Sequence, residues 1–285
     1  MTAGAGGSVG ATVVRTFRTG DIEAVERITA AAYGRPTSPR MRERAAIGGA
    51  MLLVAEHAGA VAGVVGASDY GTAAYVASMA VDPALRRRGI ARALMAAIVA
   101  ALDARGIRAI VLDATDAGAP LYESFGFVDV DRTSIFERAA SESQDASGVA
   151  TRRGAPTFIG EADFERACEL DRQIAGCDRR AVLRDLRLVP DAALVTAPDG
   201  YLLVRGDTLG PWLALGDDVA AELLARALHV RPNVTRAFVP DTNAAAAKLL
   251  APHGFARMRT LRHMARGTSP FRRTAIYGQA SLGHG

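Results

Sequence analysis

The chain has 285 residues, 49% of them hydrophobic and 22% charged, which is typical of a soluble globular protein with room for two domains. A formal net charge of +4 suits an anionic small ligand but does not supply the dense basic patch of a nucleic-acid partner. No apolar run is long enough to span a membrane, the first residues do not resemble a signal peptide, and the two cysteines lack metal-ligand spacing. We therefore expect a cytoplasmic protein with no membrane partner and no metal.

Alternating strand and helix patterns fill the first half of the chain. Residues 1–12 are small and glycine-rich, which predicts a disordered N-terminus, and a first domain is expected over 13–139. Its predicted elements are a strand at 13–18, a helix at 21–33, a short helix at 40–47, a hairpin at 50–56 and 60–67, a strand at 73–81, a helix at 92–102, and two further strands with a short helix.

The second half repeats this order after a segment at 140–156 that is rich in Ser, Ala, Gly and Asp and is predicted to be a linker. Gly254-Phe255 lies 128 positions after Gly126-Phe127, so residues 157–285 are interpreted as a diverged copy of the first domain. The predicted elements of this copy are a helix at 163–187, a hairpin at 192–196 and 201–205, a strand from 213, a helix at 219–229, a strand at 235–239, a helix at 243–250 and a closing strand at 276–282.

The most informative segment is the run Arg86-Arg87-Arg88-Gly89-Ile90-Ala91, which lies between the strand at 73–81 and the following helix. The first amides of a helix have no internal partner, and the helix dipole adds positive potential at that end. Glycine lets the backbone approach a ligand closely, so this loop predicts a site for a pyrophosphate. A dinucleotide fingerprint would need three glycines where only Gly89 is present, and a Walker loop is absent because the only lysine is Lys248.

Two motifs at the expected distance resemble the GNAT superfamily of N-acetyltransferases. Arg86, Gly89 and Ala91 match its acyl-CoA loop, Arg/Gln-x-x-Gly-x-Gly/Ala. A strand over 109–115 is then followed by Pro120-Leu121-Tyr122 and Phe125-Gly126-Phe127, the next landmark of the superfamily. The resemblance covers residues 13–139 and, with the second half, implies two tandem GNAT-like domains. Each is expected to be an α/β domain with a mixed, mostly antiparallel twisted sheet flanked by helices.

The resemblance implies that acetyl-CoA is the acetyl donor and that it binds in the first domain. Backbone amides freed by a bulge in the strand before the loop are expected to pair with the pantetheine arm and the thioester oxygen. The implied cofactor-binding residues are Met79, Ala80, Val81, Arg86, Arg87, Arg88, Gly89, Ile90, Ala91, Arg92, Thr115, Tyr122 and Phe125. Thr115 has an equally good alternative role in closing its own turn.

Two side chains are the implied candidates for proton transfer. Tyr122 matches the tyrosine that donates a proton to the departing sulfur in many relatives, and an ordinary phenol stays protonated at neutral pH. Asp113 lies on the strand beside the cofactor, where some relatives carry a catalytic glutamate, and is a candidate base. A structural role for Asp113 is an equally good alternative, and water alone is a further candidate for the base.

The second copy lacks these features. Where the first domain has three arginines, the second has Gly216-Asp217-Asp218, and carboxylates at a helix N-terminus would repel a pyrophosphate. The position of Tyr122 corresponds to Leu250. One cofactor site is therefore expected, with the second domain degenerate.

The implied activity is acetyl-CoA-dependent N-acetylation of a small-molecule primary amine by direct transfer. A protein or peptide acceptor and a non-catalytic acyl-CoA sensor remain alternatives. Residues 33–44 and the second domain are expected to shape the acceptor site, with Tyr33, Asp69 and Trp212 as substrate candidates, although core packing is the stronger expectation for Trp212. A monomer or a homodimer is expected.

Overall fold

The computed structural model describes residues 11–34, 50–139, 160–189 and 191–284. Of the segment 1–12 that was expected to be disordered, residues 1–10 lie outside the described residues. The short helix expected at 40–47 and the linker expected at 140–156 lie outside them too. Thr12 belongs to the first strand, which begins one residue before the strand predicted at 13–18.

The first half of the described chain follows the predicted order closely. Its elements are strand β1 (Thr12–Thr16), helix α1 (Ile22–Tyr33), strands β2 (Ala50–His57), β3 (Ala60–Asp69) and β4 (Ala73–Val81), helix α2 (Ile90–Ala104), strand β5 (Ala109–Ala114), helix α3 (Ala119–Glu123) and strand β6 (Val128–Glu137).

The second half differs from the prediction at four places. The strand expected from 213 begins at Thr208, and the closing strand expected over 276–282 ends at Gly278. The helix expected over 163–187 is broken, because Gly176 ends the first helix in the left-handed conformation at φ 67°. The long strand at Ala256–Arg266 was not predicted. The elements are α4 (Glu161–Ala175), α5 (Arg180–Arg187), β7 (Ala193–Ala197), β8 (Gly200–Arg205), β9 (Thr208–Ala214), α6 (Asp217–Val230), β10 (Arg236–Pro240), α7 (Ala244–Leu250), β11 (Ala256–Arg266) and β12 (Ile276–Gly278).

All of the described strands join one mixed sheet in the order β1-β2-β3-β4-β5-β11-β6-β10-β9-β8-β7, with β12 paired to β9. Strand β11, from the second half, lies between β5 and β6 of the first half and is antiparallel to both. Strand β6 in turn pairs with β10. The two halves therefore exchange their last long strands and are not two independent sheets.

Helices cover the first half of the sheet on both faces. Helix α2 buries a stripe at Ile90, Leu94, Ile98 and Leu102, the spacing that keeps side chains on one side of a helix. Burying each such side chain contributes about 1.5–3 kcal/mol. Helix α1 packs on the opposite face, against a separate cluster that includes Val64 and Ala80. No helix in the described ranges is long and apolar enough to cross a membrane.

Candidate functional site

A gap opens between strands β4 and β5 in the first half of the sheet. Their parallel pairing ends at Tyr75 and Val111, although β4 continues to Val81 and β5 to Ala114. The strands therefore separate toward their carboxyl ends, where backbone groups of both strands face the gap. Such a gap is a natural position for an elongated ligand that carries its own amide groups.

A β-bulge shapes the β4 side of this gap. Gly66 pairs with Ala77 and Val64 pairs with Ala80, so Ser78 and Met79 together oppose the single residue between them on β3. Ser78 has a φ of 57°, a conformation that non-glycine residues rarely adopt. The hydroxyl of Tyr33, the last residue of α1, donates to the Met79 carbonyl oxygen at 2.9 Å. The bulge expected near Met79–Val81 is thus present, and the substrate candidate Tyr33 lies against it.

The basic loop presents open backbone donors at the end of β4. Asp82 caps the turn by accepting from the Ala84 amide at 3.0 Å and pairs with Arg27 at 2.8 Å. Arg87 and Gly89 have positive φ values of 61° and 80°, which turn the chain into α2. Across the described chain, no backbone or side-chain acceptor pairs with the amides from residue 87 to residue 92. These amides and the exposed arginine side chains lie at the positive end of the α2 dipole, as an anion site requires.

Tyr122 lies on the short helix α3 beyond the carboxyl end of β5. Its ring is half-buried against Phe127, with ring centroids 6.2 Å apart. Its hydroxyl has no hydrogen-bond partner within the described ranges, and burial raises its pKa to about 12. The phenol therefore keeps its proton at neutral pH and has that proton available for a ligand.

The remaining cofactor candidates surround the same helix. The Arg92 guanidinium lies 5.7 Å from the centre of the Phe125 ring and so connects α2 to the segment after α3. Thr115 closes its turn: its hydroxyl accepts from the Gly118 amide at 3.2 Å, and its carbonyl accepts from the Gly118 and Ala119 amides. This is the alternative role that the sequence left open for Thr115, and the exposed hydroxyl can still face a ligand.

Asp113 is the centre of a buried polar network that connects the two halves of the chain. Its side chain is 0% exposed. The carboxylate accepts hydrogen bonds from the Tyr75 hydroxyl, from Thr133 Oγ1 at 2.7 Å and from Gln279 Nε2 at 3.3 Å. His263 Nδ1 lies 2.9 Å from the same carboxylate, on the exchanged strand β11.

These contacts govern the ionisation of Asp113. Burial alone raises its pKa, but the charge and hydrogen bond of His263, together with Arg273 and Tyr75, outweigh burial and lower the pKa to about 2. Burial, the nearby Asp113 carboxylate and its hydrogen bond raise the pKa of Tyr75. A carboxylate already held by several donors has little remaining capacity to take a proton from a substrate. The arrangement favours the structural alternative for Asp113.

Two of the substrate candidates lie away from the gap. Asp69 pairs with Ala74, near the opposite end of β4 from the loop, and its carboxylate binds Arg105 at 3.0 Å and the Gly71 amide at 2.9 Å. Trp212 is 0% exposed and packs against Tyr277 in the core of the second half. Asp69 thus stabilises a turn, and Trp212 packs in the core, which was its stronger expectation. These positions do not favour a substrate role for either residue.

Sequence reasoning missed five members of the Asp113 network: Tyr75, Thr133, His263, Arg273 and Gln279. Gln279 donates to the Tyr75 hydroxyl at 3.0 Å and Arg273 donates to Thr133 at 3.0 Å. Their distance from Asp113 along the chain reaches 166 residues, and no local spacing signals such contacts. Within the described part of the chain, no three His, Cys, Asp or Glu side chains are grouped as a metal site would need.

Comparison with known proteins agrees with this geometry. A family model for the acetyltransferase (GNAT) domain matches residues 23–140, and a second acetyltransferase (GNAT) domain model matches residues 167–278. No protein with a curated description matches the chain.

Several solved structures share the fold over most of the chain. A putative acetyltransferase from Pyrococcus horikoshii superposes with a TM-score of 0.81 at 23% identity over 96% of both chains. A GCN5-related N-acetyltransferase from Sphaerobacter thermophilus gives 0.63 at 14% identity, covering 90% of this chain and 97% of that chain. One from Anabaena variabilis gives 0.58 at 17% identity, covering 90% and 72%. At these identities the likeness shows the fold, which extends across both halves of the chain.

GNAT domains use acetyl-CoA as donor, and the two family matches together span most of the described chain. The chain belongs to the GNAT acetyltransferases, as an acyltransferase with two GNAT domains.

Proposed function

We propose that this protein transfers the acetyl group of acetyl-CoA directly to a small-molecule primary amine, in a site formed by the first domain. The observation that carries the proposal is the gap between β4 and β5, with the bulge at Ser78 and Met79 on one wall and open amides from 87 to 92 at its end. Acetyl-CoA would supply an activated acetyl group as a thioester. The residues of the chain hold it, orient it and move protons.

Cofactor binding is assigned to three groups of the first domain. The amides of residues 87–92 and the side chains of Arg86, Arg87 and Arg88 bind the pyrophosphate, since unpaired amides at a helix N-terminus favour anions. The backbone of Met79, Ala80 and Val81 pairs with the pantetheine arm. Thr115 and Phe125 contribute at the far wall of the gap, next to Tyr122.

Tyr122 is the proposed acid. The departing thiolate needs a proton, and the Tyr122 hydroxyl holds one that no acceptor elsewhere in the described chain engages. General acid catalysis by a positioned side chain contributes about 10²–10⁴-fold to a rate. Water is the proposed acceptor of the amine proton, because the carboxylate of Asp113 is buried and already bonded.

The cysteines support direct transfer over a covalent acyl-enzyme. Cys168 and Cys177 both belong to the second half of the chain, and both are buried. Burial raises the pKa of Cys168 to about 11 and that of Cys177 to about 12, so both remain thiols and poor nucleophiles.

A covered sheet face supports a small acceptor. Tyr70, Tyr75 and Val111 of the first domain pack against α5 of the second and against Ala280. A protein acceptor requires an open groove, and this packing closes one face of the sheet beside the gap.

The test is a thiol-release assay with acetyl-CoA and a panel of small primary amines, run beside a panel of peptides with free N-termini or lysines. Release that depends on a small amine and yields the N-acetylated product supports the proposal. Release with peptides alone assigns a protein acceptor, and acetyl-CoA binding without release from any acceptor assigns a sensor.

A further inference from the structure

The second domain contains a gap like that of the first. The parallel pairing of β9 and β10 ends at Leu209 and Ala237, beyond which the strands separate. Val204 pairs with Leu209 and Leu202 pairs with Trp212, so Gly210 and Pro211 form a two-residue bulge. Aligning the two bulges makes Trp212 and Leu213 the counterparts of Ala80 and Val81.

The chain fills this second gap with its own strand β12. Ile276 pairs with Leu213, and Gly278 pairs with Trp212. On the opposite wall, the Gln279 amide donates to the Phe238 carbonyl of β10 at 2.7 Å. Strand β12 therefore pairs with the counterparts of the residues proposed to hold the pantetheine arm, and its continuation closes the gap on the other side.

Hydrogen bonds of Ile276 and Tyr277 in β12 extend the correspondence. The Tyr277 hydroxyl donates to Asp217 at the start of α6, the place where the first domain presents its open amides. Asn243, the counterpart of Thr115 at 128 positions further on, donates from Nδ2 to the Ile276 carbonyl at 3.0 Å.

At the bulge of Gly210 and Pro211, the segment that contains Gln279 occupies the space next to the backbone. A Cβ atom on Gly210 would overlap the Gln279 carbonyl oxygen, which therefore lies directly on the bulge. The side chain of Gln279 continues into the first domain, where Nε2 donates to the Tyr75 hydroxyl at 3.0 Å. The segment is anchored on both sides.

We propose that the gap of the second domain is a binding site for an extended amide-bearing chain, and that residues 276–279 occupy it permanently as a built-in substitute for the pantetheine arm. A peptide strand and pantetheine both offer N–H and C=O groups to separated strands, so one backbone scaffold accepts either. The second domain thus keeps its fold without a cofactor, and each chain binds one acetyl-CoA. The stoichiometry of one acetyl-CoA per chain rests on the proposed function, whereas the occupancy of the second gap by β12 does not.

The first test is hydrogen exchange on the full-length protein, with and without a large excess of acetyl-CoA, beside calorimetric titration. We expect the amides of residues 276–279 to be protected from exchange as strongly as those of β9, and we expect acetyl-CoA not to change their protection. The titration should give one acetyl-CoA site per chain. Fast exchange in the free protein, displacement by acetyl-CoA, or two sites per chain would overturn the inference. A protein that binds no acetyl-CoA refutes the proposed function, while exchange in the free protein still decides the occupancy by β12.

A matched pair of variants tests the tight fit of the strand. A Cβ on Gly278 would lie 3.2 Å from the Leu209 carbonyl oxygen, whereas one on Gly216, beside the same gap, meets no atom within 4 Å. Gly278→Val is expected to raise exchange in 276–279 about tenfold or more, with β2 and β3 unchanged, and Gly216→Val to leave it as in the wild type. Equal exchange in the two variants contradicts the proposal, and if Gly278→Val does not fold, wild-type exchange decides.

Discussion

Replacing Tyr122 with Phe separates the proposed acid role from a packing role. The ring contact with Phe127 at 6.2 Å is kept, and the lost hydroxyl has no partner within the described ranges. The free energy of unfolding should therefore change by no more than about 0.5 kcal/mol. Loss of the proton donor should lower kcat by about 100-fold or more, which is about 2.7 kcal/mol of activation free energy. The KM for acetyl-CoA should stay near the wild-type value.

Steady-state thiol release and urea unfolding measure the two effects separately. Because burial raises the pKa of Tyr122 to about 12, the wild-type kcat should not fall through loss of this proton up to about pH 10. Tyr70→Phe is the control: it removes a buried hydroxyl that donates to the His284 carbonyl at 2.7 Å, and should cost about 1 kcal/mol of stability while kcat is retained. A Tyr122→Phe kcat within about threefold of the wild type would refute the acid role.

Three further predictions concern the loop and the buried network. Gly89→Asp places a carboxylate among the open amides and should raise the Kd for acetyl-CoA about tenfold or more by calorimetry, whereas Gly254→Asp, with the same φ of +80° and open surroundings, should not change it. Asp113→Asn breaks the pair with His263 and should cost about 3–5 kcal/mol in urea unfolding; retained stability with kcat lowered about 100-fold would instead favour the base role. The pKa of Asp113 in the folded state is about 2, below its usual 3.8, so the unfolded state binds more protons between these two pH values. The stability of the wild type should therefore fall as the pH decreases through this window, and that of Asp113→Asn should fall less steeply.

Local patterns in the sequence were sufficient for the elements of the first half. The limits of β4 agree with the prediction. The helix predicted at 92–102 from its apolar spacing is present and extends from Ile90 to Ala104. The resemblance to GNAT proteins and the expectation of two such domains were confirmed by the family models. The assignments of cofactor and catalytic residues remain predictions for the experiments above.

Contacts between segments that lie far apart along the chain could not be predicted from the sequence. The pattern of β6 specifies which face is buried but not which strand lies beside it, so its pairing with β11 and β10 could not be predicted. For the same reason the sequence placed Asp113 on β5 but did not indicate which side chains contact it. Its environment depends on His263, 150 residues away, and on Gln279 beyond it.

The sequence by itself determined the order of the elements in the first half, the basic loop that is proposed to bind an anion, and the presence of two related domains, because each depends on neighbours within a few turns or on a repeated motif. The tertiary structure alone decided the strand exchange, the buried state of Asp113, and the occupation of the second gap by β12. Backbone groups in a strand carry the same donors and acceptors whatever their side chains, so packing over the whole chain selects which strands pair.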